Sequence, residues 1–236
     1  MCKPQLHYHR TMSTTRTTPR QPAAARRRAR ELEILTATRE LFDETGVRDA
    51  QIEDIARAVG VNRAIIYRHF SGKEELFALT LVSYLEDLET ELAGAAAART
   101  TPPEQLVAVV EAFVDFGVAH PAFVDCAQTL MRRPGPELLE EISESALFRL
   151  GRGIAACLAR LRDVLVAGNE AGDFRVEDPR LLANHMYASG LGALQLARVG
   201  MLVGESSPGV PEIAPVSADE VRRNVVATAR ALAAGA

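Results

Sequence analysis

The feature that most constrains the fold is a pair of short helical patterns separated by a glycine turn, between residues 52 and 70. The first pattern places apolar residues at helical intervals, at Ile52, Ile55, Ala56 and Val59. Gly60 then interrupts the chain, and Asn62 is a residue type that caps a following helix. Ile66 and Phe70 lie one turn apart in that second helix. Two short helices joined in this way predict a helix-turn-helix unit.

A helix-turn-helix divides its residues between packing and recognition. The apolar side chains pack inward and fix the angle between the two helices, so the first turn of the second helix is free to enter a major groove. Asn62 and Arg63 stand at this turn. Arg63 could bind guanine in a bidentate manner, whereas arginine on a helix is more commonly solvated or bound to phosphate. Both alternatives remain open.

The rest of the chain predicts an all-α protein, with no strand pattern of period two. S/T-x-x-E capping boxes open helices at Ser71, Thr101 and Ser217, and Asp178 precedes a proline at a first helical position. Glycine and proline place a loop at 204–216. The expected helices are about 26–45, 52–59, 62–70, 71–99, 102–120, 122–132, 137–169, 179–203 and one from 217 onward.

Charge is distributed unevenly along the chain. The net charge is −4, yet residues 1–30 hold eight basic residues and no acidic one. Residues 1–25 are rich in Thr, Pro and Arg without apolar periodicity, so they are expected to form a disordered basic arm. A basic arm on an acidic body favours contact with a polyanion. Met12 is an alternative start of the chain.

Several classes of protein are disfavoured by what the sequence lacks. Three cysteines, with no C-x-x-C pair, do not predict a disulfide framework. Cys2, His7 and His9 could suggest a metal site, but a disordered tail is favoured because no second ligand cluster follows, so neither metal nor cofactor is expected. No uncharged apolar run of about 18 residues occurs and no secretory signal is evident, which predicts a cytoplasmic protein without a membrane partner. Catalytic fingerprints are also absent, so the chain is not expected to be an enzyme.

At this point a family resemblance becomes specific. Residues 26–77 resemble the DNA-binding domain of the tetracycline-repressor (TetR) family. The matching motifs are Ile55-Ala56, Gly60-Val61, Tyr67-x-His69-Phe70 and Lys73-Glu74-x-Leu76-Phe77. Two departures stand out: Ala50-Gln51 replaces the usual Thr or Ser that opens the second helix, and Ala64-Ile65 replaces Gly and Thr.

The resemblance implies a three-helix helix-turn-helix domain at 26–77 and a larger helical ligand-binding and dimerisation domain at 78–236, joined by a connecting helix at 76–99. It also implies that Tyr67, His69 and Lys73 contact the DNA backbone, while the arginines from residue 26 onward could reach flanking phosphate or the minor groove. The candidate DNA-binding residues are Arg26, Arg27, Arg28, Gln51, Asn62, Arg63, Ala64, Ile65, Tyr67, Arg68, His69 and Lys73.

The larger domain carries no comparably specific motif. The helix 179–203 is apolar nearly all round and must be covered on both sides. We expect it to pair with the last helix and their copies in a four-helix dimer interface, as the family implies; the alternative is a helix buried within one subunit. The candidate dimerisation residues are Leu191, Leu194, Val221, Val225 and Leu232. The candidate ligand-binding residues, which could also be plain core, are Phe113, Phe116, His120, Phe123, Cys126, Met131, Phe148 and Tyr187.

The sequence therefore predicts a homodimeric repressor that binds a palindromic operator in double-stranded DNA and is released by a small, lipophilic effector. The alternative is a DNA-binding regulator without a small-molecule ligand.

Overall fold

The computed structural model of the protein describes residues 23–47, 51–132 and 134–235. The elements in these residues are α1 (Ala23–Thr45), α2 (Ile52–Val59), α3 (Arg63–His69), α4 (Lys73–Ala97), α5 (Pro102–Ala119), α6 (Pro121–Met131), α7 (Gly135–Glu141), α8 (Glu144–Ala171), α9 (Pro179–Val199), β1 (Met201–Ser207), β2 (Val210–Pro215) and α10 (Ala218–Ala234). The predicted helical architecture is therefore confirmed apart from the two strands.

The N-terminal part packs α1, α2 and α3 around a small apolar core. Ile34, Ile55 and Ile66 contribute one side chain from each helix, and all three are almost fully buried. The ring of Phe42 meets the ring of Phe77 edge to face at a centroid distance of 4.9 Å. Because Phe77 belongs to α4, this contact joins the three-helix unit to the rest of the protein.

The larger part is organised around α4, which packs against α5 and α8. Leu85 and Leu88 of α4 are completely buried. Gly153 of α8 allows the close approach, because a Cβ at that position would lie 3.2 Å from Leu85 Cδ1. The C-terminal helix α10 returns to α5, where Arg222 pairs with Glu111 at 3.1 Å. The core is thus continuous from the first domain into the second.

The predicted loop at 204–216 is wrong: most of it belongs to an antiparallel β-hairpin of β1 and β2. The strands turn at Gly209, whose φ of 79° lies in the left-handed region that favours glycine. All residues of both strands are exposed. Neither face of the hairpin is buried. Nothing therefore requires its residues to alternate between apolar and polar, which is the pattern that predicts a strand.

The predicted starts of two helices, the fourth and the first, differ from the structure. The fourth helix begins at Lys73 with Gly72 as its N-cap, so the predicted capping box of Ser71 and Glu74 is wrong. The backbone N–H of Ser71 instead donates to the carboxylate of Glu75 at 2.7 Å. The first helix begins at Ala23, three residues inside the expected disordered arm.

The single long helix predicted from residue 137 to about 169 is divided in two. Ser143 caps the second half, where its hydroxyl accepts from the backbone N–H of Ala146 at 3.4 Å. The preceding Ile142 is buried and separates α7 from α8. Helix α9 ends at Val199, four residues earlier than predicted, because Gly200 adopts a φ of 68°.

Other end signals are confirmed. Thr101 and Glu104 form a capping box, with the backbone N–H of Thr101 donating to the glutamate at 3.4 Å. Ser217 and Glu220 form a second one at 2.8 Å. Asp178 caps α9 ahead of Pro179 as expected. These devices satisfy backbone groups that a helix end leaves without partners.

The predicted disordered arm up to residue 22, with Met12, Cys2, His7 and His9, lies outside the described residues. Within the described ranges, no single helix is both long and apolar enough to cross a membrane; α5 and α6 have the required length and composition only as a pair, which is bent by 97°.

Candidate DNA-binding surface and ligand cavity

The turn between α2 and α3 depends on a glycine. Gly60 has a φ of 71°, a left-handed conformation that ends α2. The next backbone N–H, of Val61, donates to the carbonyl of Ala56 at 2.9 Å. This hydrogen bond satisfies a carbonyl in the last turn of α2. The chain changes direction at Gly60 and enters α3 two residues after Val61.

The recognition helix α3 is anchored on one face and open on the other. Its first turn is capped by Asn62, whose side-chain oxygen accepts from the backbone N–H of Ile65 at 3.1 Å. Ile66 and the following Phe70 are buried, at 1% and 2% exposure. The candidate residues Asn62, Arg63, Ala64, Tyr67 and Arg68 are exposed, and Ile65 is half-buried. The polar and basic face of α3 is therefore exposed, and its apolar face is packed into the core.

Arg63 is ion-paired in the free protein. Its Nη1 lies 2.8 Å from Oε1 of Glu53 on α2, and both side chains are exposed. A hydrogen bond from Arg63 lowers the pKa of Glu53, and the same bond raises the pKa of Arg63. The sequence did not predict this role for Glu53. Glu53 is ten residues from Arg63 in the sequence, and the two side chains come close only because α2 and α3 pack at an angle to each other.

His69 and Lys73 lie just beyond the exposed face of α3. His69 is half-buried, and its Nδ1 forms no hydrogen bond with any described residue. Burial, aided by the nearby charges of Arg27 and Arg68, lowers the pKa of His69, which favours the neutral imidazole. The ammonium of Lys73, the first residue of α4, lies 5.0 Å from the ring centroid of Phe77. This position at a helix N-terminus is one where backbone N–H groups favour an anion.

The remaining candidate DNA-binding residues also lie on this side of the protein. Arg26, Arg27 and Arg28 are exposed in the first turns of α1. Two of them, Arg27 and Arg28, line one open cleft together with Tyr67, Arg68 and His69 of α3. Gln51 is the exposed N-cap of α2, where its backbone N–H donates to Asp54 at 3.3 Å. Gln51 is therefore the residue at which α2 is capped.

A second candidate site is a cavity of about 180 Å³ inside the larger domain. Helices α4, α5, α8, α9 and α10 line this cavity, which is partly open to solvent. Two of the predicted ligand-binding residues, Phe113 and Tyr187, line it, and their rings meet at a centroid distance of 5.9 Å. Gly190 makes room for Phe113, since a Cβ there would lie 2.7 Å from the ring. The lining residues are Leu88, Leu92, Val109, Val110, Phe113, Cys157, Leu158, Leu161, Met186, Tyr187, Ser189, Gly190, Ala193, Asn224, Val225, Thr228, Ala229 and Leu232.

The other predicted ligand-binding residues do not line this cavity. Phe116, Phe123 and Cys126 are fully buried core residues. His120 is half-buried beside Phe116, with a centroid distance of 4.5 Å. Met131 and Phe148 are 56% and 70% exposed, because they lie on the outer faces of α6 and α8. The residue type alone, aromatic or methionine, does not tell whether a side chain lines a cavity, packs in the core or lies on the surface.

The cavity is uncharged. Its lining includes no Asp, Glu, Lys, Arg or His, and its polar groups come from residues such as Tyr187, Asn224 and Thr228. Burial raises the pKa of Tyr187 far above its usual value. Burial also raises the pKa of Cys157 to about 12, and its thiol donates to the carbonyl of Leu85 at 3.3 Å. The site is therefore suited to a neutral and mostly apolar molecule.

The predicted dimerisation residues face the inside of their own subunit. Leu191, Leu194 and Val221 are 2 to 4% exposed, and Val225 and Leu232 are half-buried in the cavity lining. Leu191, Leu194 and Val221 are therefore not available to a second copy. The exposed stripes of the same helices are Leu181, His185, Ala188, Gly192, Leu196 and Val199 on α9, and Asn224, Ala227, Ala231 and Ala234 on α10.

The fold and the two sites define a helix-turn-helix regulator with a separate helical domain. The family model for bacterial regulatory proteins of the tetR family matches residues 34–79. The HTH-type transcriptional repressor NicS of Pseudomonas putida is 30% identical over 168 residues, covering 70% of this chain and 73% of NicS. The chain belongs to the TetR family.

Two further comparisons describe how far the likeness extends. The HTH-type transcriptional activator FasR of Mycolicibacterium smegmatis is 33% identical over 104 residues, covering 41% of this chain and 48% of FasR. The chain thus spans about half the length of this curated relative. The crystal structure of RolR in complex with resorcinol shares the fold, with a TM-score of 0.64, 18% identity, and coverage of 89% of this chain and 90% of RolR.

Proposed function

We propose that the protein is a homodimeric transcriptional repressor that binds a palindromic operator through α3 and is released by a small neutral ligand. The observation that carries the proposal is the exposed face of α3. Asn62 and Arg63 stand at its N-terminal turn, where a helix in the major groove meets base edges. Tyr67, Arg68, His69 and the arginines of α1 would contact the phosphates on either side.

The homodimer is supported by the exposed stripes of α9 and α10. On α9, Leu181, Leu196 and Val199 are 66%, 38% and 51% exposed, and Ala188 and Gly192 between them permit close helix approach. A contiguous exposed apolar surface of this kind marks an interaction site. A twofold dimer would place two α3 helices on one face, which matches an operator with twofold symmetry.

The ligand step is supported by the uncharged cavity. RolR is described in complex with resorcinol, which is a small neutral molecule. In this chain the cavity touches α4, the helix that also begins next to the DNA-binding unit. A ligand would lower operator affinity if it binds better to the conformer in which the two α3 helices are wrongly spaced.

A regulator without a small-molecule ligand is the second candidate. The cavity volume of about 180 Å³ favours it, because ligand pockets more commonly measure about 300–1,000 Å³. Among the relatives, NicS is named a repressor and FasR an activator. We favour repression because NicS matches the larger share of this chain.

Selection of bound fragments from the host genome, followed by binding assays, tests the DNA-binding step. Arg63→Ala should reduce discrimination at one operator position by about 1–3 kcal/mol. Lys73→Ala should instead weaken binding to all DNA alike and flatten the salt dependence by about one unit. Arg160→Ala is the control, because it removes one positive charge that pairs with Glu89 on α4, away from α3.

An equal loss of affinity on every sequence tried for Arg63→Ala would contradict base contact by this residue. Wild-type protein that prefers no duplex over heparin at low salt would contradict the proposed function as a whole.

A further inference from the structure

The β-hairpin between α9 and α10 exposes an apolar face. The pairing of Val203 with Ile213, and of Met201 with Pro215, places these side chains on the same side of the two strands. Val203 is 80% exposed, Ile213 67% and Met201 50%. A two-stranded hairpin alone is only marginally stable in water, and it needs a surface to cover such a face.

We propose that this face of the hairpin packs on the C-terminal half of α10 in a second copy of the chain. The inference rests on the proposed homodimer and extends it: each subunit contributes an arm that grips the other. The hairpin then adds contact area to the pairing of α9 and α10.

Continuity with the exposed stripe of α9 supports a second copy as the occupant. The stripe ends at Leu196 and Val199, and β1 begins at Met201 immediately after Gly200. The carbonyl of Gly200 accepts from the backbone N–H of Val216 at 3.0 Å, which fixes the base of the hairpin beside the start of α10. Any subunit that covers the stripe is therefore brought next to the hairpin.

Symmetry identifies the part of α10 that the hairpin would reach. A twofold axis perpendicular to the helices makes α10 and its copy antiparallel. Because the hairpin is fixed at the N-terminal end of its own α10, it lies near the C-terminal end of the other copy. The exposed Ala227 and Ala231 there offer a shallow surface for Val203 and Ile213.

Charge is complementary between these two surfaces. Glu205 pairs with Pro211 across the hairpin and so shares the apolar face with Val203. Arg230 is exposed on the C-terminal half of α10. The hairpin holds two acidic residues, Glu205 and Glu212, and no basic one, so DNA is a poor occupant for it.

Adjacent residues on β1 provide a matched test. Val203→Lys places a charge on the apolar face, whereas Leu202→Lys places the same charge on the opposite face. We expect the dimer dissociation constant, measured by sedimentation equilibrium on the full chain, to rise by about tenfold or more for Val203→Lys, because a charged side chain would lose its hydration in an apolar contact. For Leu202→Lys we expect little change. Circular dichroism would establish that both variants fold.

A charge-reversal cycle tests the partner surface. Arg230→Glu and Glu205→Arg should each weaken the dimer, and the double variant should recover most of the loss. Arg223→Glu is the control, because it lies on the N-terminal half of α10, outside the reach of the second copy's hairpin.

The outcomes separate this inference from the proposed function. A wild-type dimer with equal dissociation constants for Val203→Lys and Leu202→Lys would overturn the arm and leave the homodimer standing. A failure of the double variant to recover affinity would overturn the pairing with Arg230. A wild-type chain that is monomeric at all concentrations would overturn both proposals.

Discussion

At the scale of single residues, the ion pair of Arg63 and Glu53 bears on the contact with DNA that we propose for α3. In the free protein the guanidinium is held at 2.8 Å from the carboxylate. A base or a phosphate must compete with this carboxylate for the same donors, since arginine binds all three through the same planar fork. Glu53 therefore orients Arg63 and also restrains it.

Glu53→Gln should raise affinity for DNA of any sequence and reduce the ratio of specific to non-specific binding. One negative charge is removed beside the phosphates, and Arg63 is released from its fixed geometry. We expect non-specific affinity to rise by about twofold to fivefold, the scale of an exposed ion pair. Titration of operator and scrambled duplexes measures both effects.

Glu40→Gln is the control for that change, since it removes the same charge from an exposed position on α1. Equal effects of the two variants would show that only net charge matters and that Glu53 does not position Arg63.

Residues whose roles depend on local geometry were predictable from the sequence. Gly60 and Asn62 act on backbone groups within a few residues, and both behave as expected. Glu53 was not predictable because its partner lies on another helix. Leu191, Leu194 and Val221 lie on the predicted helices but on the inward side, since apolar character does not tell whether a residue faces its own core or a partner.

At the scale of elements, the contact between α4 and α8 links the DNA-binding unit to the larger domain. Glu75, at 6% exposure, accepts from the hydroxyl of Ser143 and from the backbone N–H of Ser71. Burial opposes ionisation of Glu75, but these hydrogen bonds outweigh it and hold its pKa below the ordinary 4.5. The hydroxyl of Ser71 also donates to the carbonyl of Glu141. Three segments thus meet at one carboxylate.

Ser143→Ala should lower the free energy of unfolding by about 1–3 kcal/mol, because a hydrogen bond to a charged, buried group is lost. The depressed pKa of Glu75 contributes stability that is present above pH 4.5 and is lost as the pH falls through its folded-state pKa. Without Ser143 that pKa rises, so the loss in acid should begin at a higher pH. Urea unfolding at several pH values measures both effects.

Ser145→Ala is the matched control, because the hydroxyl of this exposed serine lies 3.3 Å from that of Ser143 and, among the described residues, does not bond to Glu75. Indistinguishable unfolding curves for the two variants would contradict a role for Ser143 in this junction.

Elements were predictable where they have a buried face or a strong end signal. The stripes of α4, α5 and α10 and the capping boxes at Thr101 and Ser217 indicated their helices correctly. The break before α8 was missed because serine is tolerated inside a helix. The sequence does not show that the hydroxyl of Ser143 bonds to Glu75 and to the backbone of Ala146. The hairpin was missed because neither face is buried within the subunit.

At the scale of the whole molecule, one helix connects the two candidate sites. Helix α4 starts beside α3 and contributes Leu88 and Leu92 to the cavity wall. Helix α8 contributes Cys157 and Leu161 to the same wall and reaches Glu75 through Ser143. A molecule in the cavity therefore touches both helices that hold the DNA-binding unit.

A neutral lipophilic ligand should raise the melting temperature and weaken operator binding by about 5- to 150-fold, the usual range of coupling between two sites. Ala193→Phe should abolish both effects by filling the cavity that Ala193 lines. Screening a library of neutral compounds by thermal shift, then by operator release, provides the measurement.

Ala155→Phe, the same substitution at an exposed position on α8, should leave both effects unchanged. Compounds that stabilise wild type and Ala193→Phe equally would place the ligand elsewhere. The absence of any stabilising compound in a broad library would favour the regulator without a ligand.

The burial of Cys126 and Cys157 bears on which signals the protein can sense. Both thiols are free, and burial raises the pKa of each, so thiolate is scarce at neutral pH. Peroxides and disulfides react with thiolates, and these two sulfurs are shielded as well as protonated. Neither Cys126 nor Cys157 is therefore suited to an oxidation-triggered switch, and the effector proposed for this domain would act through its shape and hydrophobicity.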